Sequence, residues 1–262
     1  MNDGTQKDTL GDRMKDYEDA ALELDRCQDY YTVLRLDGSC FHTWTKRVKL
    51  RKPFDNRMVR AMQKTTLELC EGINTCIMGY TQSDEITLVL RKGEKEGSQP
   101  WFGNRVQKLC SISAAMCSVA FNHAIQEQFG EEWVKPAYFD SRVMFLPSLD
   151  EVLNNLVWRQ NDCMKNSVSA LAQSVFSQRE LNSRRRGDQL QMLLERGQDW
   201  NALPTVLKMG TLVHKRKVTG VAYGMGVNAG LEYERGVFFI DEETPRFTED
   251  RQFLIDAYNF SV

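Results

Sequence analysis

Two aspartates stand where carboxylates could grip a metal and a phosphate. Asp37 ends the stretch Y-T-V-L-R-L-D that begins at Tyr31, and Gly38, Ser39, Cys40, Phe41 and His42 follow it directly. Asp84 lies in G-Y-T-Q-S-D-E-I-T-L-V-L, between Ser83 and Glu85. Both stretches are rich in the β-branched, aromatic and aliphatic residues of short strands. Strand side chains alternate faces, so Leu34 and Leu36 point one way and Arg35 and Asp37 the other. Gly38 permits a tight turn and lets backbone carbonyls approach a ligand. Two carboxylates at the ends of neighbouring strands suit a pair of Mg²⁺ ions on a triphosphate. An aspartate before a glycine is also the composition of a plain turn.

Phosphate chemistry needs positive charge as well, and here its distribution says more than its total. The formal net charge is only −2. Yet Lys46, Arg47, Lys49, Arg51 and Lys52 put five cations in seven residues just beyond Asp37, and Arg184–Arg186 and Lys215–Lys217 form two further clusters. Such runs are ordinarily solvated surface. One that follows a candidate metal site could equally hold a polyanion. Seven cysteines without a C-x-x-C pair, and three histidines, argue against a disulfide framework, a zinc site or a His-rich metal centre. No apolar run approaches the ~20 residues of a membrane span. The start M-N-D-G-T-Q-K-D has no apolar signal region, so the expectation is a cytoplasmic protein with no membrane partner.

The elements that must position these residues follow from periodicity. With 262 residues, 42% hydrophobic and 27% charged, the chain can bury one large core or two small ones. A helix is expected over 10–27, a strand over 31–36, a basic loop to Lys52, and a helix from Pro53 to Glu71. Strands over 73–80 and 85–90 form a hairpin around T-Q-S-D, and a charged loop follows over 92–99. A long helix over 101–129 presents Phe102, Val106, Leu109, Ser113, Met116, Ala120 and His123 inward, and a strand over 138–145 comes next. The order β-α-β-β-α-β predicts an α+β fold: a ferredoxin-like (split βαβ) antiparallel sheet with helices on one face. Beyond Pro147 the texture is mainly helical, with helices over 149–158, 162–177 and 179–196 and short strands over 209–213 and 236–240. Domains of 1–146 and 147–262 are therefore expected, the second packed on the first. The fold alone hosts many functions.

Several linked motifs carry a family resemblance. R-L-D-G-S-C-F-H, K-P-F-D-N-R, Y-T-Q-S-D-E, F-D-S-R-V, W-R-Q-N-D-C, L-L-E-R-G-Q-D-W-N-A-L-P and K-M-G-T-L-V, in this order and spacing, resemble the tRNA-histidine guanylyltransferase superfamily. The resemblance spans roughly Leu10 to Lys217. It implies a core like the palm of DNA polymerases, and a nucleotidyltransferase that adds nucleotides to tRNA 5′ ends in the 3′-to-5′ direction. Residue by residue, it implies that Asp37, Asp84 and the Gly38 carbonyl hold two Mg²⁺ ions, with Glu85 supporting catalysis. Asp37 to His42 (with Gly38, Ser39, Cys40 and Phe41 between), together with Ser83 and Asp84, would hold a nucleotide. Lys52, Arg105 and Lys108 would hold its triphosphate. Arg142 and Asn166, as positions matching the family, would meet RNA, and the charge of the cluster Arg184, Arg185 and Arg186 suits the same partner. The implied partners are ATP, GTP or other nucleoside triphosphates, tRNA, and further copies of the chain in a homotetramer built as a dimer of dimers.

In the family's cycle, ATP first activates a tRNA 5′-monophosphate, giving a 5′-adenylylated end and pyrophosphate. The 3′-hydroxyl of an incoming nucleotide then attacks that phosphate and expels AMP. A 5′-triphosphorylated RNA skips the activation. The chain departs from the histidine-tRNA enzymes where they carry H-I-N-N-L-Y-N after D-C: here Met164–Ala170 keeps only Asn166, and Gln189 replaces an expected lysine. The expectation is therefore the guanylyltransferase-like branch, which restores Watson–Crick pairs on 5′-truncated tRNA. The alternative is addition of a non-templated G to histidine tRNA. A nucleotidyl cyclase shares the two-carboxylate palm but needs no RNA, and the basic clusters speak against it. A non-enzymatic RNA-binding module would not need both aspartates.

Overall fold

The computed structural model describes residues 30–92, 99–130, 132, 134–221 and 232–261. The helix expected over 10–27 and most of the loop over 92–99 lie outside the described residues. β1 (Tyr31–Gly38) alternates as expected, with Leu34 and Leu36 in one core and Val33 in the other. Where the sequence suggested a basic loop, α1 (Phe41–Arg47) forms, because Phe41 and Trp44 lie one turn apart and both are buried. Lys46 and Arg47 fall in its last turn, where cations suit the negative helix end. α2 (Asn56–Gly72) begins later than Pro53, since Asp55 is its cap and accepts from the Arg57 amide.

β2 (Cys76–Gln82) and β3 (Glu85–Leu90) make the hairpin. A 3₁₀ turn at Trp101–Asn104, with Phe102 and Gly103 at φ of 51° and 60°, kinks the chain before α3 (Val106–Phe129). α3 buries Leu109, Ser113 and Ala120 as expected, with Cys117, Phe121, Ala124 and Ile125, while Phe102 and His123 are exposed. β4 (Phe139–Leu146) completes the palm. α4 (Leu149–Val175) is one continuous helix where two were expected. Arg159, Gln160 and Cys163 are buried on either side of Asn161–Asp162, so packing overrides the polar dipeptide. The reverse holds next: α5 (Gln178–Leu181) and α6 (Arg186–Glu195) replace one helix, separated by Ser183 at φ 60°. α7 (Thr205–Met209), β5 (Thr211–Val221), β6 (Glu232–Asp241) and α8 (Arg251–Ser261) follow.

All strands pair antiparallel in the order β4-β1-β3-β2-β5-β6. The first four are the ferredoxin-like palm. β5 and β6 are longer than the short strands expected and extend the same sheet beyond β2, so the C-terminal part both packs on the palm and adds to it. α2 and α3 cover one face through Met62, Leu69, Leu109 and Phe121 against Leu34, Leu36, Ile86 and Leu88. The other face, which the palm pattern alone leaves bare, meets α4 and α8 through Val152, Leu156, Leu254 and Tyr258 against Val33, Val89 and Tyr80. Among the described residues, no helix is long and apolar enough to cross a membrane.

Candidate active site

The two aspartates meet because the end of β1 is tied to the β2–β3 turn. The Gly38 amide donates to the Asp84 carbonyl at 3.1 Å, and the Ser39 amide donates to the Tyr138 carbonyl at 2.8 Å. Ser83 holds the turn at φ 50°, and its hydroxyl donates to Asp84 Oδ1 at 2.9 Å. Only glycine fits at 38: a Cβ there would lie 2.2 Å from Phe41 Cδ2. That ring cannot give way, because Trp44, Phe121 and Phe139 surround it with centroids at 5.0, 5.5 and 5.0 Å.

Burial raises the pKa of the Asp84 carboxyl and the Asp37 charge raises it further, against hydrogen bonds from the Ser83 hydroxyl and Asp84's own amide. Among the described residues Asp84 has no cationic partner, and Asp37 has only Arg142 at 3.9 Å. A pair of like charges beside a glycine carbonyl is a donor set of hard oxygens, suited to Mg²⁺. No group of three or more His, Cys, Asp or Glu side chains poised for a metal occurs among the described residues. Magnesium would complete its shell with water and substrate phosphate, as it does where one or two carboxylates hold it.

Asp84 also lines a cavity of about 580 Å³, the volume of a small-molecule site. Its walls come from α1 (His42, Thr45, Lys46), the loop Lys49–Asp55, α2 (Met58, Val59, Met62, Gln63), the hairpin (Thr81–Asp84) and α4 (Cys163, Asn166, Ser167, Ala170). Four cations line it: Lys46, Lys49, Arg51 and Lys52. The sequence marked the run as a whole as a possible polyanion site, and the resemblance named only Lys52 from it.

Two residues without an assigned role hold these walls. Asp55, almost wholly buried, accepts from the Arg51 amide at 2.8 Å, the Arg57 amide at 2.9 Å and the Arg57 guanidinium at 3.0 and 2.7 Å. Burial pushes its carboxyl upward, but those hydrogen bonds, Arg57's guanidinium foremost, outweigh it and hold the pKa at about 2. Asp55 thereby ties the second half of the cationic loop, at Arg51, to the start of α2 at Arg57. Arg159 of α4 donates to Glu85 at 2.7 Å inside the protein, lies 3.7 Å from Asp162, and stacks against Trp158 at 3.6 Å. Burial raises the Glu85 pKa, with Arg159 and then Arg35 drawing it back. Glu85 faces Asp37 in the strand register, so this pair fixes α4 beside the carboxylates. Both signals stood in the sequence, within K-P-F-D-N-R and W-R-Q-N-D-C, but their partners did not.

The remaining predicted residues divide by position. His42, Lys52, Ser83, Asp84 and Asn166 line the cavity, and so does an edge of the otherwise buried Phe41. Ser39 and Cys40 are exposed on the turn beside it. Arg142 lies on the sheet face next to Asp37. Arg184, Arg185 and Arg186 are exposed at the start of α6. Arg105 and Lys108 are exposed at the N-terminal end of α3, and neither lines the cavity. That helix end sits by Thr32, bonded to Asn104, roughly 16 Å along β1 from Asp37 at strand rise.

A family model described as tRNAHis guanylyltransferase (Thg1) matches residues 11–147, about half of the chain. The chain belongs to the tRNA(His) guanylyltransferase family. A probable tRNA(His) guanylyltransferase of Dictyostelium discoideum is 28% identical over 203 residues, covering 73% of this chain and 77% of that protein. A bacterial tRNA(HIS) guanylyltransferase (Thg1)-like protein, solved in complex with ATP, superposes at a TM-score of 0.81 and 33% identity, over 97% of this chain and 99% of its own. The corresponding complex with GTP gives 0.75 and 32%, over 96% and 99%. Members of the tRNA(His) guanylyltransferase family are nucleotidyltransferases, and this chain is an enzyme of that class, with the α+β palm of its Thg1-like relatives.

Proposed function

We propose that this guanylyltransferase-family enzyme is a template-dependent 3′-to-5′ nucleotidyltransferase that restores missing nucleotides at tRNA 5′ ends. The observation that carries this reading is the Asp37–Asp84 pair beside a cavity of about 580 Å³ with four cations in its wall. Phosphoryl transfer asks for positioning and charge stabilisation more than covalent help. Asp37, Asp84 and the Gly38 carbonyl would hold two Mg²⁺ ions. Mg²⁺ bound there lowers the pKa of an attacking hydroxyl and neutralises phosphate charge. Lys46, Lys49, Arg51 and Lys52 clamp a triphosphate whose nucleoside occupies the cavity, and Asp55 keeps that loop in place. Glu85 and Arg159 hold the α4 wall against the site. ATP and GTP in the bacterial Thg1-like relative support both as substrates here.

Repair is favoured over non-templated G addition by where the departures fall. Ser167 and Ala170, which differ from the histidine-tRNA enzymes, line the cavity beside the retained Asn166. With those side chains replaced, direction must come from pairing with the opposite strand. A mispaired 3′-hydroxyl sits out of line, and a displacement of ~1 Å can cost about a hundredfold. Measuring kcat/KM on tRNAs lacking the first nucleotide, with each base opposite the gap, tests this against full-length histidine tRNA. We expect the pairing nucleotide to be added fastest and G opposite A to be poor. Faster G addition opposite A, indifferent to the templating base, would overturn repair in favour of histidine-tRNA guanylylation.

A further inference from the structure

The cavity occupies one side of the carboxylate pair, and the other side has its own features. Arg35, Asp37, Asp140 and Arg142 share the sheet face toward α4, with Arg35 opposite Arg142 and Asp37 opposite Asp140 in the register. Like charges directly opposite across strands are destabilising. Arg142 is relieved in part by Asp140 at 3.5 Å and Asp37 at 3.9 Å. The Arg35 Nε is buried and has no hydrogen-bond partner among the described residues. Over this face, α4 sets Trp158, which is 51% exposed although it is among the largest apolar side chains of the protein. Arg159, clamped by Glu85, steadies the indole at 3.6 Å, and Arg35 stands more loosely at 5.8 Å.

An exposed indole flanked by guanidinium groups is what stacks a nucleobase without reading its identity. Its placement suits one nucleotide in particular. Arg35 lies two residues from Asp37 on the same face, roughly 7 Å along the strand, within a single nucleotide's reach from phosphate to base. We propose that Trp158, with Arg35 and Arg142, is a stacking platform for the terminal base at the 5′ end of the RNA, whose phosphate lies at Asp37 and Asp84. This rests on the reading of function above and deepens it: the cavity takes the free nucleotide and the sheet face takes the RNA end.

The test uses the full chain, a 5′-triphosphorylated tRNA transcript lacking its first nucleotide, and the pairing nucleoside triphosphate. Trp158→Ala should raise the KM for RNA roughly tenfold and leave the KM for the nucleotide within about twofold, the scale of one base–aromatic stack removed. Trp158→Phe should restore most of the RNA affinity. With RNA and no nucleotide, tryptophan fluorescence should be quenched in the natural protein, and the quench should largely vanish in Trp158→Phe. An unchanged KM for RNA in Trp158→Ala, or a quench that persists in Trp158→Phe, overturns the platform. So does a change of oligomeric state in sedimentation with RNA affinity intact, which would make this face an interface between copies. If the natural protein transfers no nucleotide to RNA, the reading of function falls, while the quench still decides the platform.

Discussion

Asp84 and Glu85 are adjacent in the chain and opposite in circumstance. Burial pushes both carboxyl groups toward the protonated form. For Glu85 the Arg159 guanidinium, 2.7 Å away, pulls it back. For Asp84 the nearest relief is a hydroxyl and its own amide, and Asp37 adds to the burden. Asp55 stands with Glu85: its charge is fully met by Arg57 and two amides. A carboxylate whose charge is met inside the protein holds structure together. One kept partly buried without a cation is held ready for a ligand.

The contrast can be broken most sharply at the unmet pair. Asp84→Asn or Asp37→Asn should lower nucleotide transfer at least a thousandfold, roughly the loss of a charge-stabilising group at the reacting centre. The thermal midpoint should hold or rise, because a like-charge repulsion has gone. Single-turnover assays alongside melts would show this, and near-normal transfer by either variant would take both aspartates out of the site. The next effect is on stability. Arg159→Met should cost about 3–5 kcal/mol in urea unfolding, since it strands Glu85 inside the protein. Adding Glu85→Leu should recover much of that, and a single-variant loss below about 1 kcal/mol would mean the pair is not buried as described.

Asp55 offers a test by pH. Its folded pKa of about 2 lies below the ordinary 3.8, so its contribution is complete above pH 3.8 and disappears as pH falls toward 2. That contribution is about 2 kcal/mol. Urea melts of the natural protein and Asp55→Asn between neutral and strongly acid pH should converge at the acid end, and curves that stay parallel would deny Asp55 this role. The smallest expected change concerns exposed cations whose side chains have no carboxylate partner among the described residues. Replacing Arg184, Arg185 and Arg186 by Gln should flatten the salt dependence of tRNA binding by about one unit of slope for each phosphate no longer neutralised. An unchanged slope assigns them to plain surface.

Sequence periodicity gave the palm nearly whole, because each of its elements is signalled locally. The alternation at Leu34, Arg35, Leu36 and Asp37 and the T-Q-S-D turn placed both aspartates at neighbouring strand ends. What stayed hidden is set across long separations. Arg159 meets Glu85, and Gln63 donates to Thr211 at 3.1 Å, through pairings that no window of sequence contains. β5 was obscured by its own cations: Lys215, Arg216 and Lys217 read as a solvated run, yet they pair with Phe238, Val237 and Gly236 at the margin of the sheet. α1 escapes a periodicity reading because its two buried aromatics lie within a basic stretch. The helix breaks near α4 and α6 differ from expectation because burial sustains the first and a single positive φ ends the second.

Phe41 belongs to two things at once: it packs in the aromatic cluster under α3, and its ring closes the space where any side chain at position 38 would sit. The turn that follows Asp37 is thereby packed against the core rather than standing clear of it. Its amides should exchange with solvent about as slowly as those of the core beneath, unlike the mobile loops that surround many ligand sites. On the function proposed above, access to the cavity would be set by what enters it, with the turn at Asp37 staying in place.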